Sequence, residues 1–107
     1  MKIKWSEVAF EDLASINDYI AKDAPYYARQ FIDKLMTSTK KLASFPEIGR
    51  RVPEIEENDR RNIRELIFHT YRIIYEVNQV DEYILVITVV HGSRNLAEQN
   101  PKPWEII

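Results

Sequence analysis

The side chains able to do chemistry in this 107-residue chain are few in kind, and arginine dominates them. Cysteine is absent and histidine occurs twice, as His69 and His91. There is thus no thiolate nucleophile, no disulfide framework and no Cys-based zinc site, and a reducing compartment suits the chain. Two histidines would need carboxylates to complete a three-ligand transition-metal site, so the expectation is that neither metal nor cofactor is used. No Gly-rich phosphate loop, two-His metal helix or Ser-centred elbow occurs. Seven of the eight Arg (50, 51, 60, 61, 64, 72 and 94) lie between positions 50 and 94, and all seven Lys lie outside that span. Arginine matters here because its planar fork grips phosphate or carboxylate at two points at once.

Arg72 stands among Tyr71, Ile73, Ile74 and Tyr75, where an unpaired guanidinium would be costly. Two readings follow. Arg72 either pairs internally with Glu65 from the preceding apolar run, or joins His91 and Arg94 in an anion-binding cluster on one face of a sheet. His91 ends a very apolar run and is followed by Gly92 and Arg94. Its ordinary pKa of about 6.5 suits proton transfer near neutrality, and a hydrogen bond to nearby backbone is the structural alternative. His69 falls in an expected turn and reads as structural. Arg50 and Arg51, after Gly49, are either a solvated loop pair or a contact for a partner's acidic segment. Fifteen Lys plus Arg against seventeen Asp plus Glu leave a net charge of −2, so any nucleic-acid role must be local.

The elements that must position these groups are legible from patterning. Lys2-Ile3-Lys4-Trp5 alternates like a half-buried strand, and Ser6 is a helix N-cap candidate with Glu7, Glu11 and Asp12 in the early turns. Ala9, Leu13, Ile16 and Ile20 mark one face of a helix to about Ala21. Asp23-Ala24-Pro25 restarts a helix whose stripe is Ala28, Phe31, Leu35 and Leu42, ending at Phe45-Pro46, and the two helices form an antiparallel hairpin. Positions 46–61 read as loop. Asn62–Phe68, Tyr71–Val77 and Tyr83–Val90 read as strands of an antiparallel meander. A tight turn at His69-Thr70 would set Phe68 opposite Tyr71, Leu66 opposite Ile73 and Arg64 opposite Tyr75. The structure of the tail after Arg94 is not specified by its pattern.

The expected class is therefore α+β: an N-terminal strand and a two-helix antiparallel hairpin packed on one face of an antiparallel sheet completed by a C-terminal three-stranded meander. Residues 1–94 form the domain and 95–107 a tail. One sheet face is left over and, carrying Ile67 and Ile74 beside Glu65 and Arg72, calls for a partner, a substrate or water against it. Arg50, Arg51, Arg64, Glu65, Ile67, Ile74 and Trp104 are the candidate partner contacts. No apolar run approaches the roughly 18 residues of a membrane span, and Met1-Lys2-Ile3-Lys4-Trp5 lacks a secretory apolar stretch, so the cytoplasm is the expected location.

Over about positions 3 to 94 the sequence resembles the RelE/ParE superfamily of toxins from prokaryotic type II toxin-antitoxin modules. The likeness is carried by Trp5-Ser6 before Ala9, Asp12-Leu13 and Ile16; by Tyr19-Ile20-Ala21, Ala28 and Phe31; and by Phe45-Pro46-Glu47-Ile48-Gly49-Arg50 with Val52-Pro53-Glu54. Ile63-Arg64-Glu65, Tyr71-Arg72-Ile73-Ile74-Tyr75, and Val89-Val90-His91-Gly92 with Arg94 complete it. The resemblance implies a growth-inhibiting toxin, of a kind tied to plasmid stabilisation, held inactive by a cognate antitoxin that would provide any contact with DNA. Two activities are implied. ParE-like members inhibit DNA gyrase without catalysis, whereas RelE-like members cleave mRNA on the ribosome without metal. Arg72, His91 and Arg94 match the regions that supply catalytic groups only in the second case. The sheet is not Lys-rich, and Arg64-Glu65 and His91-Gly92 resemble the ParE branch, so gyrase is the expected target, with ribosome and mRNA as the alternative. A non-toxic binding or stabilising subunit is a third reading.

Overall fold

A cap that serves two elements at once starts the fold. In the computed structural model, which describes residues 1–106, β1 (Lys2–Trp5) leads through Ser6 into α1 (Glu7–Ala21). The Ser6 hydroxyl accepts from the Ala9 N–H at 3.0 Å and donates to the Ile87 carbonyl at 2.6 Å, so the helix N-terminus is fastened to the sheet. The second helix, α2 (Pro25–Ser38), has Pro25 in its first turn but no side-chain cap: Ala24, not Asp23, holds the cap position. The longer helix expected from the apolar stripe stops at Ser38. Ser38 and Thr39 hydroxyls donate to the Leu35 and Met36 carbonyls, and a short 3-10 turn, Lys40–Ala43, carries Leu42 into the core instead.

The sheet holds β2 (Arg50–Arg51), β3 (Ile63–Phe68), β4 (Tyr71–Asn78) and β5 (Tyr83–His91) besides β1, in the order β1-β5-β4-β3-β2. The expected meander is present, and its β3–β4 register pairs Phe68 with Tyr71, Leu66 with Ile73 and Arg64 with Tyr75, as the turn at His69-Thr70 requires. His69 closes that turn at φ 54°. The sheet is mixed rather than antiparallel throughout, because β1 runs parallel to β5. Alternation marks a strand without naming its neighbour, and here the neighbour is set by α1, which lies along β5 while Ser6 N–H bonds the Val86 carbonyl. Strand β2 falls in the stretch read as loop, being only two residues long and too short for a period to show.

Between β4 and β5, Ile74 opposes Thr88 and Tyr75 opposes Val86, which leaves Ile87 as the extra residue of a β-bulge. Val86 and Val89 consequently both join the core under the helices, with Leu13, Phe31, Leu35, Ile73 and Tyr75. Ile87 turns to a second core on the opposite face, with Ile63, Ile74 and Val90.

That opposite face is not left over. Val52 and Ile55 from the β2–β3 connection, and Leu96 and Trp104 from the C-terminal segment, cover it. Trp104 is only 2% exposed and Ile74 is fully buried, so neither is the partner contact that the pattern suggests. The segment beyond β5 carries isolated apolar residues among Pro and polar ones, with no period to announce a packing face. Its place is held by Arg61, whose Nη1 donates to the Trp104 carbonyl at 2.6 Å, and the segment is folded on itself by Lys102, whose Nζ donates to the Ala97 and Gln99 carbonyls. Among the described residues, no helix is long and apolar enough to cross a membrane.

Trp104→Ala should accordingly destabilise the fold by about 3 to 5 kcal/mol, as expected for emptying a buried aromatic site. Chemical denaturation measures this, and a loss below about 0.5 kcal/mol would place Trp104 on the surface instead.

Candidate functional site

Arg72 lies where β4 and β3 bring it diagonal to Glu65, and its Nε donates to Glu65 Oε2 at 2.5 Å. Its two terminal nitrogens reach the other way, to both oxygens of Glu54 at 2.8 and 2.7 Å, a bidentate pairing. Glu65 has its second oxygen on Arg50 Nε at 2.6 Å. The side chain of Glu65 is 0% exposed and that of Arg72 9% exposed. Arg50, Glu65, Arg72 and Glu54 thus form a chain of alternating sign with no net charge. The Glu54 hydrogen bond raises the Arg72 pKa above its ordinary value, and the same bond lowers that of Glu54. Of the two readings of Arg72, the internal pair holds, and it is doubled. The sequence named Glu65 but not Glu54, whose part is visible only once the Val52-Pro53-Glu54 segment folds over the sheet.

Of the other two members of the expected cluster, His91 shares a hollow with Arg72 and Arg94 does not. His91 is exposed and borders an open hollow of about 320 Å³ with Ile67, Tyr71 and Arg72. The His91 Nδ1 accepts from the Ser93 N–H at 3.1 Å and lies 2.7 Å from the Ser93 hydroxyl, and the ring meets Tyr71 edge-on at 5.5 Å. Arg94 lines a separate cavity of about 230 Å³, beside Asp12, Thr88 and Gln99. The cause is the turn closed by the Arg94 N–H on the His91 carbonyl, which takes the chain off the strand. A three-residue cluster of Arg72, His91 and Arg94 therefore does not form.

Of the candidate partner contacts, Arg50, Arg51 and Ile67 are exposed. Glu65, Ile74 and Trp104 are buried. Arg64 is half-buried and bound internally, to Asn62 Oδ1 at 2.8 Å, the Gly49 carbonyl at 2.7 Å and Glu47 Oε2 at 2.9 Å. It clamps the loop ahead of β2.

Tyr75 holds the same loop from beneath and was missed by the sequence reading. Its buried hydroxyl donates to the Pro46 carbonyl at 2.9 Å and accepts from the Gly49 N–H at 3.0 Å. A Cβ on Gly49 would stand 2.4 Å from the Glu65 carbonyl oxygen and 2.6 Å from the Tyr75 hydroxyl, so only glycine fits. The available signal was a Tyr in a buried strand, whose hydroxyl must find a partner. Asp12 was likewise read only as an early-turn acid. Its carboxylate accepts from the Thr88 hydroxyl and from the Val89 N–H at 2.9 Å, tying α1 to β5.

Removing one member of the buried charge chain should be costly: Arg72→Ala leaves Glu65 and Glu54 facing each other and should lose about 3 kcal/mol in denaturant titrations. Acid should act at the same place. A carboxylate whose folded pKa is depressed stabilises the fold above its ordinary pKa and loses that contribution as pH falls through the folded value. Glu54 is depressed below its ordinary 4.5, and Asp59 is held at about 2 by its hydrogen bonds from Arg61. Melting temperature should therefore fall as pH drops from 4.5 towards about 2, and less steeply in Glu54→Gln.

Sequence and structure comparisons agree on what this arrangement belongs to. The family model described as the ParE toxin of the type II toxin-antitoxin system parDE matches residues 3–96. Toxin RelE2 of Caulobacter vibrioides is 30% identical over 94 residues, covering 87% of this chain and 97% of that protein. A solved structure of the chromosomal ParDE toxin-antitoxin system from P. aeruginosa superposes with a TM-score of 0.67 at 20% identity, over 85% of this chain and 95% of the other. It shares the two helices and the five-stranded sheet. The Pro46–Arg50 loop, the Arg64-Glu65 pair and the Tyr71–Tyr75 run, which the structure joins into one unit, all lie inside the matched span, and the chain belongs to the ParE toxin family of type II toxin-antitoxin systems, within the RelE/ParE superfamily.

Proposed function

We propose that this toxin is neutralised by a cognate antitoxin and acts on DNA gyrase as an inhibitor, without catalysing a reaction. The observation that carries this reading is the neutralisation of Arg72. A ribonuclease of this size must hold a polyanion and stabilise a phosphorane by electrostatics. The guanidinium best placed on the sheet to do so has its Nε and both terminal nitrogens on carboxylates. His91 shares an open hollow with Arg72, but Arg94 borders a separate cavity, so the three groups do not surround one phosphate. A protein target makes no such demand, since a few exposed anchors on a rigid surface carry affinity.

Controlled induction, with message integrity and gyrase supercoiling followed in parallel, tests the proposal. The expected outcome is loss of supercoiling activity with intact messages, rescue by co-expression of a cognate antitoxin, and undiminished growth arrest by His91→Ala. Codon-positioned mRNA cleavage that disappears in His91→Ala, with supercoiling untouched, would establish the RelE-like alternative. Growth unaffected by induction would point to a non-toxic binding subunit.

A further inference from the structure

Away from the charge chain, α1, β5 and the C-terminal segment meet around the cavity of about 230 Å³ that Arg94 borders. Polar side chains that line it keep bonding capacity. Gln99 Oε1 is buried and meets no donor among the described residues, although an amide oxygen withdrawn from water is costly when left unbonded. The backbone carrying it is well held, since Gln99 N–H bonds the Leu96 carbonyl at 3.2 Å and the Gln99 carbonyl accepts from Lys102 Nζ at 2.8 Å. Asp12 uses Oδ2 for both the Thr88 hydroxyl and the Val89 N–H, and its Oδ1 takes no bond among the described residues. Arg94 is exposed, and its guanidinium joins no carboxylate among the described residues, that of Asp12 included.

These groups specify a ligand by what each can bond. Two acceptors, one of them anionic, call for a group with several donors, and an ammonium carries three and no acceptor. A guanidinium bordering the same cavity calls for a carboxylate. Val8, Ile87, Pro103 and Ile106 supply apolar walls, so the body between the two charges should be aliphatic. Drug-sized ligands fill roughly 300–1,000 Å³, and this cavity is smaller, so the ligand must be small. An inorganic anion would satisfy Arg94 but meet the Asp12 carboxylate as a like charge. A metal ion fits no better, because no group of three or more His, Cys, Asp or Glu side chains able to hold one gathers among the described residues.

We propose that this cavity binds a small aliphatic α-amino acid, with its ammonium on Asp12 and Gln99, its carboxylate on Arg94 and its side chain against the apolar walls. Because those walls come from a helix, a strand and the C-terminal segment, the bound amino acid bridges all three and holds the segment against the sheet. Titration of the full chain with L-valine, followed by calorimetry and by backbone amide chemical shifts, tests this. Saturable binding with a Kd of about 1 mM is expected. The shifts should centre on Asp12, Thr88, Arg94 and Gln99, and the melting temperature should rise with ligand concentration. Isobutylamine, which keeps the ammonium alone, and N-acetyl-L-valine, which keeps the carboxylate alone, should each bind at least about tenfold more weakly. Arg94→Ala removes an exposed side chain and should weaken L-valine about tenfold while leaving isobutylamine unchanged, whereas Gln99→Met should weaken both. No saturable binding of L-valine up to about 50 mM, shifts centred elsewhere, or equal binding of all three probes would overturn the inference. The titration of the unaltered chain needs no variant to fold.

Discussion

A single carboxylate that has lost all contact with water organises the site half of this molecule. Glu65 is a poor residue to bury, since an isolated ionised carboxylate in a protein interior is prohibitive and an ion pair repays its desolvation only with close geometry. The structure meets that condition from two sides: Arg50 from β2 takes one oxygen and Arg72 from β4 the other. Each then restrains what lies beyond it. Arg72 reaches on to Glu54 and so draws the β2–β3 connection over the sheet, and Arg50 keeps the two residues of β2 against β3. The Glu65 main chain adds a further constraint, because its carbonyl oxygen leaves Gly49 no room for a side chain.

The second core follows from the same closure. Once Glu54 is fixed, Val52 and Ile55 on either side of it settle onto Ile63 and Ile74, and the bulge at Ile87 supplies a further apolar residue to that face. The C-terminal segment then completes the cover with Leu96 and Trp104. A two-layer domain with one wet sheet face thereby becomes a sheet covered on both faces, by helices on one side and irregular chain on the other. The irregular side is tolerable because its backbone carbonyls are met by Arg61 and Lys102 side chains rather than left buried and unpaired.

What was legible in the sequence follows from the range of the interactions involved. The Ser6 cap, the helix stripes and the β3–β4 register rest on neighbours a few residues apart, and their patterns stand in the sequence as read. The Arg72–Glu65 pair was also within reach, because the register of one hairpin determines it. Pairing of β1 with β5, the Asp12 contact with Thr88 and Val89, and the burial of Trp104 all join residues far apart in the chain, and no period records them. The reading of Ile74 and Trp104 as partner contacts failed for that reason: an apolar face was recognised, but the piece of the same chain that covers it was not. Glu54 was missed in the same way, hidden in a stretch whose charge density suggested only solvation.

The placement of charge separates the parts of the surface that a partner can use from those it cannot. Of the seven arginines between positions 50 and 94, those on β3 and β4 are consumed by the fold: Arg64 by the loop ahead of β2, Arg72 by two carboxylates. Arg50 and Arg51 stand exposed at the sheet edge, after a loop clamped by Tyr75 and Arg64 and flanked by exposed apolar side chains, while Arg60 and Arg94 are exposed elsewhere. A rigid edge loses little conformational entropy when something binds to it, so the ordering cost falls on the partner. A partner disordered until it binds can bear that cost by covering a large surface. The buried charge chain and the exposed edge are in this sense linked, since the carboxylate that neutralises Arg72 is also the one through which Arg50 holds β2 against β3.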